Sequence, residues 1–268
     1  MSAKKRNKRR KKSWFSSIKR YTRLFKRWSK EILAIATIVA LVAAIWYLKN
    51  RYFPPAPDID GSLKITGIDV SKHNGYIDMT KVAAAGHSFV YVKTSEGITL
   101  KDAARGKHVS RAVEAGLKTG AYHYFIFKRD GKQQADNFLA SIKGLHLDLP
   151  LAIDVEQDRK LNRSYDSTTA RNLRDMVNAL RNAGHRSLLI YTNGDGYKNI
   201  YQGVYDNDPD TELWLCSFQE IDKVAHRGHI IQQYNHHGHV KGIKGEVDLN
   251  VYRGSAADWH DYLNKIQP

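Results

Sequence analysis

From about Lys64 to the C-terminus, short apolar runs alternate with amphipathic stretches, and that alternation restricts the fold more than any other feature of the 268-residue chain. Strand-like runs occupy residues 65–70, 89–93, 120–125, 151–155, 188–192, 213–217, 230–234 and 247–251. Helical patterns fall between most of the first six, near residues 79–85, 103–115, 133–142 and 167–183. Strands joined by helices pair in parallel, because a parallel neighbour is reached only by a long crossover. The last three runs lie too close together for full helices. The expectation for residues 64–268 is therefore an α/β fold, an irregular (β/α) barrel of eight strands, TIM-barrel-like, with its last three strands poorly connected by helices. In such a barrel the C-terminal strand ends converge on one site.

The N-terminal quarter is different material. Residues 1–30 hold fourteen Lys or Arg and no acid, which leaves twenty-nine basic against twenty-seven acidic residues elsewhere, so the net charge of +16 belongs to the tail. A tail of this kind could neutralise nucleic-acid phosphates, but its neighbour argues against that partner. Residues 32–48 carry no charge, a length at the short end of what spans a bilayer, and Trp46 and Tyr47 precede Lys49 as an interfacial belt. The bulky end of the run lacks the small residues of a signal-peptide cleavage site. The expected organisation is a basic cytoplasmic tail at 1–31, a single-pass transmembrane signal anchor at 32–48, a Pro-rich linker at 49–63 and an exported domain at 64–268 outside the cytoplasmic membrane. Trp14, Phe15, Ile18, Tyr21, Leu24, Phe25 and Trp28 interleave with the basic residues, which suits either an amphipathic helix on anionic lipid or a disordered tail. Cys216, the only cysteine, sits in an apolar run and reads as a small buried residue.

Within the barrel, Asp154 and Glu156 end the fourth strand two residues apart, so they share a face while Leu151, Ile153 and Val155 pack the other. Neighbouring carboxylates repel, and one tends to keep its proton. A protonated acid beside an ionised one suits general acid catalysis at a glycosidic oxygen; acids that merely meet solvent or a lysine are the plainer reading. The other strand ends supply Asp69, Tyr122, His123, Tyr124, Tyr191, Asn193, Trp214, Gln233, Tyr234 and Asp248. Four acids with aromatic rings and amides on one rim describe a carbohydrate cleft.

These residues resemble the glycoside hydrolase family 25 lysozymes. The likeness runs through Gly67-Ile68-Asp69-Val70-Ser71, Asn74-Gly75, Ile77-Asp78, Phe89 to Gly97 and Ala115-Gly116-Leu117. It continues with Gly120 to Phe125, Asp154-Val155-Glu156, Ile190-Tyr191-Thr192, Gln233-Tyr234 and Val247-Asp248-Leu249-Asn250, and it covers roughly residues 65–265. The resemblance implies a muramidase that cuts the β-1,4 bond between N-acetylmuramic acid and N-acetylglucosamine in peptidoglycan, without a metal or other cofactor. It implies Glu156 as general acid, Asp154 as its partner, and Asp69 and Asp248 flanking the cleft. Tyr122, Tyr124, Tyr191, Trp214 and Gln233 are expected to contact substrate, with Glu96, Asp102 and Asn193 supporting from behind. Inverting, retaining and substrate-assisted routes stay open. So do two other activities: a non-catalytic glycan-binding scaffold, and a hydrolase of another N-acetylated polysaccharide. The sequence departs from the pattern at Gln232 and Met79, where the family often has Trp. His226, His229, His236, His237 and His239 cluster without the spacing of a zinc site and are expected to form a solvated or substrate-facing loop.

Overall fold

The computed structural model describes residues 31, 33–47, 65–158, 160–219 and 228–266. Most of the expected basic tail, the expected linker and His226 lie outside the described residues.

The chain divides into two units, residues 1–55 and 56–268. In the first, residues 33–47 form helix α1, with Leu33, Ile38, Val42, Trp46 and Tyr47 all exposed. At about 1.5 Å per residue α1 is roughly 22 Å long, and among the described residues no helix is long and apolar enough to cross a membrane. Residues 32 and 48 of the expected anchor lie outside the described residues.

Among the described residues the second unit contains nine strands: β1 (Thr66–Val70), β2 (His87–Glu96), β3 (Leu100–Lys101), β4 (Lys118–Tyr124), β5 (Leu151–Asp154), β6 (Leu188–Asn193), β7 (Thr211–Cys216), β8 (His229–Gly238) and β9 (Val247–Tyr252). Its helices are α2 (Met79–Ala84), α3 (Arg105–Glu114), α4 (Gly131–Ile142), α5 (Ser167–Asn182), the single turn α6 (Gly194–Gly196) and α7 (Ala256–Ile266). Eight strands close into a barrel, while β3 is a short hairpin partner of β2. Neighbours from β1 through β8 pair in parallel, but β9 runs antiparallel to both β8 and β1. The eight expected strands are all present, and the expectation of one parallel direction fails at the last. Nothing helical separates β8 from β9, so the chain simply reverses.

Alternation along each strand sorts the side chains. Leu151, Ile153, Leu188, Ile190, Leu213 and Leu215 face outward against Phe138, Leu173 and Met176 of α4 and α5. Fully burying each such side chain stabilises the fold by roughly 1.5–3 kcal/mol. Residues one step along, among them Phe89, Tyr91, Ala152, Leu189 and Trp214, fill the interior, where Trp259 and Tyr262 of α7 join them. The α7 helix was not expected from the apolar pattern. Its signal is a capping box, in which Ser255 and Asp258 exchange side-chain-to-backbone bonds of 2.8 and 3.2 Å. Gly131 lets α4 lie directly on α5: a Cβ there would stand 1.8 Å from the Asn172 carbonyl oxygen.

Candidate active site

Inward-facing residues at the upper ends of the strands enclose a cleft of about 390 Å³. Its acids are Asp69 on β1, Asp154 at the end of β5, Glu156 just beyond it, and Asp248 on β9. Asp248 is the second residue of its strand, not near the last. It reaches the same rim because β9 runs backwards, which sets Asp248 directly across from Asp69 in register. Opposed residues of antiparallel strands have Cβ atoms about 4.5–5.5 Å apart, and these two carboxyl groups hydrogen-bond to each other. Two amides decide which of them keeps the proton. Gln233 Nε2 and Asn250 Nδ2 donate to Asp69 Oδ2 at 3.0 and 2.8 Å, and donors of that kind favour the ionised form. Asp69 is nevertheless raised, by burial first. Asp248 is pushed up to about 9 by burial, the Asp69 charge and the shared hydrogen bond, so it carries the proton and donates to Asp69.

The second pair lies opposite. Burial foremost, then the charges of Asp69 and Asp158, push Glu156 up to about 7, against the pull of Lys93. Asp154 is raised well above the carboxylate range by burial and the Glu156 charge, and its Oδ1 is buried without a hydrogen-bond partner. Together they form a carboxyl pair that holds a proton near neutrality, which is the requirement for donating one to a leaving oxygen. The loop carrying Glu156 is fixed by Asn162, a fully buried side chain. Its Nδ2 donates to the Phe125 and Glu156 carbonyls at 2.8 and 3.1 Å, and its Oδ1 accepts from Phe127 N at 2.9 Å.

Aromatic and amide groups complete the walls. Tyr191 donates to Gln233 Oε1 at 2.9 Å, and Trp214 Nε1 donates to Asn250 Oδ1 at 2.9 Å. A continuous set of hydrogen bonds therefore ends on Asp69. Tyr122 also lines the cleft. Trp214 is only 2% exposed, with its ring centroid 4.7 Å from that of Tyr91 and 5.0 Å from that of Tyr191, so it forms the floor and not a stacking platform.

Four of the expected residues are absent from the cleft lining. The Tyr124 phenol donates to Asp158 at 2.5 Å, and its ring lies 4.7 Å from Lys93 Nζ. Glu96 pairs with that same Lys93 at 2.7 Å, next to the acids whose charge Lys93 favours. Asp102 is buried and accepts from the backbone N–H groups of Lys72 and Ala104, which ties two loops together. Asn193 caps α6, accepting from Asp195 N and Gly196 N. Conversely, Cys216 and Phe218 line the cleft without having been singled out for it, and His236, from the histidine cluster expected to be solvated or substrate-facing, joins them. Cys216, read from sequence as a small buried residue, faces the cleft beside Gln233, and burial first of all pushes its thiol up to about 12. Period-two counting onward from Trp214 would have reached Cys216 and Phe218. His123 is a buried core residue between Ser95 Oγ and Gln134 Oε1, held down to about 3 chiefly by burial. Neither departure from the family pattern falls on the cleft lining: Met79 is core, and Gln232 is fully buried facing away from the cleft.

A closed α/β barrel with acids gathered at the C-terminal rim, one pair holding a proton near neutrality, has the equipment of a glycoside hydrolase. Residues 68–243 match glycosyl hydrolases family 25, and the chain belongs to that family. It is 33% identical over 187 residues to an autolytic lysozyme of Clostridium acetobutylicum, an alignment covering 69% of this chain and 55% of that protein. The chain thus spans about half the length of that relative. Lysozyme M1 of Streptomyces globisporus is 30% identical over 207 residues, covering 72% of this chain and 69% of that protein. Among solved structures, a lysozyme from Streptomyces coelicolor superposes with a TM-score of 0.68 at 27% identity, over 78% of this chain and 100% of the other. A family 25 glycosyl hydrolase from Bacillus anthracis gives 0.67 at 24% identity over 77% and 96%, a likeness of fold alone.

Proposed function

We propose that the protein is a peptidoglycan muramidase, cutting the β-1,4 bond between N-acetylmuramic acid and N-acetylglucosamine, with Glu156 as the general acid. The observation that carries this reading is the Asp154–Glu156 pair at the rim, Asp154 buried and Glu156 half-buried with its carboxyl pushed up to about 7. The proton held by the pair passes through Glu156 to the leaving oxygen, and the negative charge this leaves on the pair stabilises the positive charge that develops on the sugar. Across the cleft, the Asp248 carboxyl held on Asp69 offers acceptor oxygens at a fixed place, suited to an acetamido N–H or a water. Tyr122, Tyr191 and Gln233 bound the sugar site, with Trp214 beneath them.

The barrel acts outside the cytoplasmic membrane, tethered by the uncharged run 32–48. Exposed apolar side chains along α1 and the basic residues before it favour this placement. Alkaline carbonate extraction of expressing cells, with external protease on spheroplasts, checks it. Release into the carbonate supernatant, or a barrel shielded from protease, overturns the placement.

Digestion of purified peptidoglycan by the full-length protein in mild detergent, beside Glu156→Gln, tests the chemistry. Fragments are reduced with borohydride and weighed by mass spectrometry. Reduced muramic acid termini that vanish in the variant are the expected result. Other reduced termini overturn the bond assignment, and glycan binding without release points to a scaffold.

A further inference from the structure

One rim of the cleft is built from two rings that the acid chemistry does not use. Phe218, just past β7, and His236, on β8, both line the cleft, are both partly exposed, and have ring centroids 4.4 Å apart. Each is held by a separate brace. Gln232 Nε2 donates to the carbonyls of Ser217 and Gln219 at 2.7 and 3.1 Å, clamping the chain on both sides of Phe218. The His237 ring lies 4.0 Å from that of His236 and is itself held by Glu246 Oε2 at 2.7 Å from Nδ1. Burial, and then the neighbouring His237, hold the His236 pKa below the usual histidine value, so its ring is presented uncharged at neutral pH.

We propose that Phe218 and His236 form a braced aromatic subsite for a pyranose ring of the glycan beyond the bond that is cut, an inference that rests on the muramidase reading. The chemistry is that of a carbohydrate platform: a sugar lays its C–H face on the rings, and the imidazole edge remains able to bond a hydroxyl or acetamido group. Fixing both rings before binding removes part of the ordering cost that mobile side chains would incur. Gln232, at a position where a tryptophan is common in the family, thus acts on the cleft indirectly, by positioning Phe218.

The test separates binding from turnover by placing every variant on full-length Glu156→Gln protein and measuring its affinity for insoluble peptidoglycan. Thermal melting confirms that each variant is folded. Phe218→Ala and His236→Asn are expected to bind on the order of three- to tenfold more weakly, the loss of one aromatic contact. His236→Phe keeps the face and is expected to bind like the parent. Gln232→Leu removes the clamp and is expected to weaken binding about as much as Phe218→Ala. Parent binding that folded variants leave unchanged overturns the subsite alone; a parent that does not bind overturns the subsite and the substrate assignment together.

Discussion

Replacing Glu156 with glutamine should stabilise the barrel in alkaline solution by the same physics that suits the residue to its proposed proton transfer. In the unfolded chain a glutamate titrates near 4.5, whereas in the cleft Glu156 titrates near 7. The folded state therefore holds that proton more tightly, and the stability linked to it is complete below about pH 4.5 and lost as pH rises through about 7. At about 1.4 kcal/mol per pH unit, the ionised side chain costs about 3 kcal/mol above roughly pH 8. Partial exposure and proton sharing with Asp154 reduce this to about 2 kcal/mol. Glutamine keeps the shape and never ionises. Urea unfolding of both proteins, followed by tryptophan fluorescence near pH 5 and near pH 8, should give a stability difference that grows in favour of the variant by about 2 kcal/mol between the two conditions. An equal difference at both pH values would refute the reasoning, because it would mean that the site does not hold Glu156 protonated.

In the proposed mechanism the same proton governs rate. Initial hydrolysis of peptidoglycan should fall as pH rises through about 7, approaching tenfold per further unit, as the Glu156 acid is lost; a rate still climbing near pH 9 would remove Glu156 from that role. Asp248→Asn should cost under about 1 kcal/mol at neutral pH, since Asp248 already carries a proton up to about 9 and an amide can donate in its place. Asp69→Asn, which sets a new amide against the Gln233 and Asn250 donors, should cost about 2–3 kcal/mol; the opposite order in thermal melts would show the proton on Asp69. Gly131→Ala should lower stability by about 2–3 kcal/mol, because the added methyl collides with the Asn172 carbonyl across the α4–α5 contact. An unchanged urea midpoint would mean that the helices separate freely.

Much of the barrel is legible in the sequence because period-two and period-3.6 patterns report which faces are buried. Those patterns carry no strand direction. Nothing in residues 247–251 distinguishes a parallel closing strand from the antiparallel one observed, and the pairing of Asp248 with Asp69 follows only from that direction. Asp154 and Glu156 were legible as a pair because their spacing alone puts them on one face. Tyr124, expected to contact substrate, is absent from the lining for a different reason: standing at a strand end gives nearness to the rim, while the side chain turns to whatever local partner it meets, here Asp158. Phe218 and His236 depend on braces from Gln232 and Glu246, contacts that no local pattern encodes.

The position of β9 between β1 and β8 also sets the timetable of folding. Residues 247–252 are inserted between the first strand and the eighth, so the closed sheet cannot exist until residue 252 has been made. At about 5–20 residues per second, roughly 10–40 s of synthesis separate the appearance of β1 from that of β9. Throughout that interval the facing edges of β1 and β8 lack their common partner, and unpaired strand edges attract other chains. Closure by a strand that follows all the other barrel strands in the chain leaves the barrel open until β9 has emerged, and it makes residues 247–252 a point of control over whether a working cleft forms at all.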